Sequence, residues 1–144
     1  MTDFVDELVA VARLFGLSER DAVCCGTVTV PQCIALQALL PGDQLVSGLA
    51  GHSGVSNSAM TRLVDGLEKR GWVVRTRSQR DRRKVTVGLT PTGRSEAERL
   101  RRATAACGDA LLQAIPPEKR DQVQESLTLV RKALERAQGG GGCC

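Results

Sequence analysis

Aromatic side chains are almost missing from this chain: Phe4, Phe15 and Trp72 are the only three, and there is no tyrosine. Without aromatic platforms, successive unpaired bases have nothing to stack on, which counts against an RNA- or single-strand-binding module. The core must be built from Leu, Val, Ala and Ile. Histidine is as scarce. His52 stands alone, so a zinc site built on imidazoles is a poor fit, and no nucleophile–histidine arrangement for covalent catalysis is present. The chain also lacks a glycine-rich phosphate loop, paired carboxylates at useful spacing, a Cys-x-x-Cys and a βαβ pattern. No enzyme and no organic cofactor are expected. No run approaches the ~20 apolar residues of a membrane span. The acidic start lacks the apolar stretch of a secretion signal. A cytoplasmic protein with reduced thiols and no membrane partner is expected.

What is present is ordinary in amount and unusual in placement. The 144 residues suit one domain with a real core. The net charge is only +4, but it is unevenly spread. Residues 1–61 carry two basic and six acidic side chains. Residues 69–84 carry eight basic ones (Lys69, Arg70, Arg75, Arg77, Arg80, Arg82, Arg83, Lys84) against Asp81 alone. A short dense cationic patch on a near-neutral protein is a footprint for a polyanion.

Hydrophobic spacing predicts a helix over 3–15, with Phe4, Leu8, Val11 and Phe15 on one face and Gly16 as its stop. A short helical turn over 18–23 is expected next, broken by Cys24-Cys25-Gly26. Pro31 suits the first turn of a helix that climbs through Ile34, Leu36, Leu39 and Leu40 to the Pro41-Gly42 stop. A short helix over 45–53 follows. Gly54 terminates it, and Ser56 caps a helix over 56–70 that Gly71 ends. Strands are expected over 72–76 and 84–89, joined by a loop over 78–83. Thr90-Pro91 then caps and starts a long helix reaching Ile115. Pro116-Pro117 breaks the chain, and a last helix covers 118–138. The stripes Leu100, Ala103, Cys107, Leu111, Leu112 and Val123, Leu127, Val130, Leu134 exceed what so small a core can cover, which points to a partner chain.

At ~100° per residue, Met60, Leu63, Val64 and Leu67 share one arc of the helix over 56–70. Asn57, Ser58, Thr61 and Arg62 take the opposite side. They are polar, mostly short and near the helix N-terminus, where a recognition helix meets base edges and phosphates in the major groove. Arg62 suits a guanine edge and Asn57 an adenine edge. The basic hairpin that follows reads as a wing. Arg80, Arg82 and Arg83 at its tip suit the strongly negative minor groove. Arg75 and Arg77, lower on the strand, are expected at backbone phosphate. Asp81 has the wrong sign for DNA and is expected to pair with a neighbouring arginine. The fold class that results is mostly α with a small β-hairpin wing.

At this point the chain resembles the MarR family of transcriptional regulators. The matching residues are Leu49-Ala50, Val55-Ser56, Leu63-Val64-Asp65-Gly66-Leu67-Glu68-Lys69-Arg70-Gly71-Trp72-Val73, the wing Asp81-Arg82-Arg83 and the exit Leu89-Thr90-Pro91-Thr92-Gly93. The resemblance covers roughly residues 28–135. It implies a winged helix-turn-helix core over 28–93 within one domain over 1–138, and dimerisation helices over 1–23 and 90–138. It further implies a homodimer on a pseudo-palindromic operator in double-stranded DNA, and repression relieved by an inducer. The Cys24-Cys25-Gly26 insertion departs from the general pattern and is similar to an element of metalloid-linked relatives.

Cysteine is the residue this chain has in excess, six in all. Cys24-Cys25, Cys33 and Cys107 lie in the body; Cys143-Cys144 end a tail over 139–144 whose glycines make a flexible spacer. Thiolates without histidine suit soft ions, with As(III) favoured and Sb(III), Hg(II), Cd(II) and Cu(I) as further candidates. Cys24 and Cys25 form the expected fixed part of a metal site, and Cys143 and Cys144 its closing part. Cys33 reads equally as core or as ligand. Cys107, on an apolar stripe, reads as packing. Two other inducers fit the scaffold. One is an oxidant acting on a thiol, although Asp21 disfavours a thiolate nearby; the other is a small aromatic acid, which leaves the cysteines unexplained.

Overall fold

The structure, a computed structural model, describes residues 2–15, 23–24 and 28–139. The expected Gly16 stop, most of the turn over 18–23, and Cys25, Cys143 and Cys144 lie outside the described residues. The chain forms two compact units, Met1–Thr104 and Ala105–Cys144.

In the first unit, α1 (Thr2–Leu14) precedes a two-stranded pair, β1 (Val23–Cys24) and β2 (Val28–Thr29). Cys24 pairs with Val28 there, so an antiparallel bridge stands where the sequence suggests only a break. Helix α2 (Val30–Ala38) begins with a reciprocal cap: the Thr29 hydroxyl accepts the Gln32 N–H at 3.3 Å, and the Gln32 carboxamide accepts the Thr29 N–H at 3.1 Å. Pro31 falls in its first turn, where a missing N–H costs nothing.

Helix α3 (Val46–Ser53) and helix α4 (Asn57–Lys69) form the helix-turn-helix. Gly54 at φ +67° supplies the left-handed residue that turns the chain, and the Val55 N–H closes the turn on the Ala50 carbonyl at 3.1 Å. Ser56 caps α4 through its hydroxyl, which accepts the Ala59 N–H at 3.1 Å. Strands β4 (Val73–Arg77) and β5 (Val85–Leu89) make the hairpin.

The sheet has a third strand that the sequence pattern does not predict. Gln44–Leu45 (β3) pairs antiparallel with β5, Gln44 against Val87 and Leu45 against Thr86. Helical spacing places Leu45 in the following helix. Instead it stays extended as the N-cap of α3, with ψ at 148°. The ladder groups on the far edge of β5 would otherwise lie unpaired, and β3 satisfies two residues' worth of them.

The core joins α2, α3, α4, the sheet and the first half of α5 (Pro91–Gln113): Leu36, Leu39, Leu49, Met60, Val64, Leu67, Val73, Val87, Ala97 and Leu100 are all buried. Cys33 is buried among them, and its sulfur accepts the Gln37 amide at 3.2 Å. At the hairpin exit the Thr90 hydroxyl caps α5 by accepting the Gly93 N–H at 3.0 Å, and donates to the Gly71 carbonyl at 2.6 Å.

In the second unit, the end of α5 is followed by a single 3-10 turn (Pro117–Lys119) and by α6 (Arg120–Gly139). Pro116-Pro117 imposes the break, as expected, but the chain re-enters helix through the tighter turn first. Leu111, Leu112, Leu127, Leu129 and Leu134 are exposed. Cys107, expected as packing, is exposed too: of its stripe on α5 Leu100 is buried in the core of the first unit, while Leu111 and Leu112 beyond Cys107 are exposed with it.

Candidate nucleic-acid interface

Helix α4 has two separated faces because its apolar residues recur at helical spacing. Met60, Val64 and Leu67 are buried and Leu63 is packed against the core. On the opposite side Asn57, Ser58, Thr61 and Arg62 are all exposed. The Thr61 hydroxyl donates back to the Asn57 carbonyl at 2.9 Å. With its proton so placed, the hydroxyl keeps its lone pairs as acceptors. Asn57 and Ser58 lie in the first turn, where unpaired backbone N–H groups and the helix dipole favour a phosphate nearby.

The hairpin tip is shaped by its own short polar residues. The Ser78 N–H closes on the Lys84 carbonyl at 2.9 Å, and the Lys84 N–H on the Asp81 carbonyl at 2.9 Å. The sequence suggests an arginine side chain as the partner of Asp81. Its carboxylate instead accepts the backbone N–H of Arg83 at 3.0 Å, an Asx turn that lies within easy reach of a short acidic side chain. Holding the turn through the backbone leaves the neighbouring guanidinium groups projecting. Arg77, Arg80, Arg82, Arg83 and Lys84 are all exposed. Arg77 and Arg82 line one shallow groove with Ser78 and Gln79.

Arg75 is different. Its guanidinium is turned onto α4: Nη2 lies 2.6 Å from the Asp65 carboxylate, Nη1 lies 3.1 Å from that of Glu68, and Nη2 also donates to the Thr61 carbonyl at 3.2 Å. Asp65 and Glu68 are site residues that the spacing argument passes over. A signal for them does exist, since two carboxylates three residues apart on a recognition helix oppose binding to DNA unless a cation neutralises them.

The expected metal ligands are not brought together by what is described. Cys24 sits in β1, Cys33 is in the core, and Cys25, Cys143 and Cys144 lie outside the described residues. Among the described residues no group of three or more His, Cys, Asp or Glu side chains is placed to hold a metal ion. An open cleft of about 440 Å³ lies in the first unit, lined by Ile34, Gln37, Ala38, Pro41, Gln44 and His52.

A helix-turn-helix with an exposed polar reading face, followed by an arginine-tipped hairpin, defines a winged helix-turn-helix regulator of transcription. Comparison with known proteins agrees. Residues 42–85 match the MarR family profile. The chain is 35% identical over 111 residues to the uncharacterized HTH-type transcriptional regulator YfiV of Bacillus subtilis (strain 168), covering 76% of this chain and 69% of that protein. It is 34% identical over 83 residues to the transcriptional repressor MprA of Escherichia coli (strain K12), covering 58% of this chain but only 46% of MprA. The fold matches that of Streptococcus pneumoniae FabT in complex with DNA, with a TM-score of 0.77 at 19% identity over 94% of this chain and 97% of FabT. The chain belongs to the MarR family. It is a transcriptional regulator and not an enzyme.

Proposed function

We propose that this regulator is a homodimeric repressor that reads a pseudo-palindromic operator in duplex DNA. In this reading each α4 enters a major groove and each wing the flanking minor groove. The observation that carries the reading is the joint exposure of Asn57, Ser58, Thr61 and Arg62 on α4 with Arg80, Arg82 and Arg83 on the wing. MprA is a repressor by name, and FabT was solved on DNA. Both names support the same direction. The protein would act in the cytoplasm; no helix among the described residues is long and apolar enough to cross a membrane.

The test is selection of duplexes from a random-sequence pool by the purified protein, then equilibrium binding to the selected duplex. Arg82→Ala/Arg83→Ala should lower the slope of log affinity against log salt by about 0.9 for each phosphate that is no longer neutralised. Affinity should fall about 100-fold or more at moderate salt, as expected for two charge-assisted hydrogen bonds. No enrichment of any sequence would overturn the reading.

For the inducer we propose a soft thiophilic ion, As(III) first, held by Cys24 and Cys25 with Cys143 and Cys144. Supporting this are the excess of thiols over histidine and the preference of such ions for thiolate sulfur. The cleft beside His52 offers a small organic ligand amide groups and apolar walls, but neither a lysine nor an arginine to meet a carboxylate. Reduced protein on its selected duplex should release it at micromolar arsenite, and Cys24→Ser/Cys25→Ser should abolish the response. Release by peroxide or by salicylate, with indifference to As(III), Sb(III), Hg(II), Cd(II) and Cu(I), would replace the thiolate site by the redox or the aromatic-acid alternative.

A further inference from the structure

We propose that Arg75 is a positioning residue that locks the base of the wing to the recognition helix and makes no contact with DNA. The inference rests on α4 and the wing being the DNA-reading surface. The sequence places Arg75 within the cationic stretch, where it reads as one more phosphate contact. The geometry assigns its donors elsewhere. One guanidinium spans two carboxylates, Asp65 and Glu68, and the Thr61 carbonyl. Its side chain is 26% exposed, against 52% for Asp65 and 45% for Glu68.

That placement has three consequences. Arg75 stands on β4, in register with Val87 of β5, so anything that holds it holds the hairpin. Its bond to the Thr61 carbonyl reaches the backbone of a residue whose side chain lies on the reading face, so the hairpin and α4 are tied together at that turn. It also screens two carboxylates that would otherwise repel the phosphate backbone. The planar fork divides these contacts between two nitrogens, Nη1 toward Glu68 and Nη2 toward Asp65 and Thr61; an ammonium group has as many donors to offer but holds them all on one nitrogen.

The two roles predict different footprints. If Arg75 met phosphate, removing the Asp65 and Glu68 charges would free the cation and leave the wing's protection in place, and Arg75→Lys would be tolerated. If Arg75 positions the wing, the same removals unlock it, and protection of the flanking minor grooves is lost even though the repulsion of the two carboxylates has gone as well. The experiment measures affinity of full-length protein for the duplex selected by the wild type, with hydroxyl-radical footprints of each complex. Arg75→Gln and Arg75→Lys should each weaken binding by about tenfold or more, the worth of one or two charge-assisted hydrogen bonds. Both, and Asp65→Asn/Glu68→Gln with them, should lose protection at the flanking minor grooves while keeping it at the central major-groove positions, a pattern that general destabilisation does not produce. Retained minor-groove protection in Asp65→Asn/Glu68→Gln overturns the proposal, as does near-wild-type binding by Arg75→Lys. Should Arg75→Gln fail to fold, the carboxylate variant, altered at two exposed positions, decides the matter alone. Failure of the wild type to select any duplex is a separate outcome, which removes the DNA-reading surface itself and the proposal with it.

Discussion

Alanine at Gly93 is expected to lower the stability of this protein by about 3 kcal/mol or more, at the upper end of overpacking penalties. The same substitution at Gly108, in the same helix, is expected to raise it by up to about 1 kcal/mol through helix propensity. Both glycines lie in α5. They differ in what a side chain would meet. A Cβ at Gly93 would overlap the carbonyl oxygen of Trp72 and stand 2.6 Å from its carbonyl carbon and 2.9 Å from its Cα. These are backbone atoms and cannot rotate away. Moving them would break the Thr90 N–H bond to the Trp72 carbonyl at 3.0 Å, and would strain the Thr90 hydroxyl bond to the Gly71 carbonyl. At Gly108 a Cβ meets nothing within 4 Å. Urea denaturation of both variants checks the pair. An unchanged midpoint for Gly93→Ala would mean that the start of α5 does not lie against the chain entering β4. With domain stabilities of only about 5–15 kcal/mol, the loss is large enough to show in soluble yield.

That glycine also marks where the sequence can be read and where it cannot. Leu89-Thr90-Pro91-Thr92-Gly93 is legible as a strand exit and helix start because Thr and Pro act through local geometry. Gly54, Ser56 and Gly71 are legible for the same reason: each satisfies a helix end within three or four residues of itself. The reading face of α4 follows from spacing alone, since its buried and exposed arcs are set by the helical repeat. The failures share a different cause. Strand β3 is two residues long and exists only because β5, some forty positions later, presents an unpaired edge. The carboxylate partners of Arg75 are passed over because its charged neighbours in sequence are mostly cations. Its partners Asp65 and Glu68 lie ten and seven positions back and are reached only after the chain has turned at Gly71. Asp81 reads as a partner for a guanidinium, yet the nearer donor is a backbone N–H two residues on. Local capping is written in the sequence; the choice among several opposite charges is made by the fold.

Charging one face of α6 should turn the protein into a monomer and cost it most of its affinity for an operator. Helix α1 has 13 residues, a length at which an isolated helix is marginal in water. Yet Phe4, Val5, Leu8, Val9, Val11, Leu14 and Phe15 are all exposed on it and just after it. On α6 Leu127 is 57% and Leu134 48% exposed, two turns apart on one face, and Leu129 is 61% exposed. Apolar surface on this scale needs cover, and a second copy of the chain supplies two such faces by symmetry. In the proposed dimer two recognition helices meet one DNA, and the second half-site would be engaged at the high effective concentration of a tethered partner. Without that partner, operator binding should weaken by roughly 10²- to 10⁴-fold with no change in any residue that touches DNA. The variant Leu127→Glu/Leu134→Glu tests this, with sedimentation equilibrium for mass and anisotropy for binding to whole and half sites. Half-site affinity should stay near that of one wild-type module, because α4 and the wing belong to the other compact unit. A dimer that survives both glutamates, or a monomer that still holds the whole site as tightly, would show that α6 is not the clasp and that the exposed leucines serve some other surface.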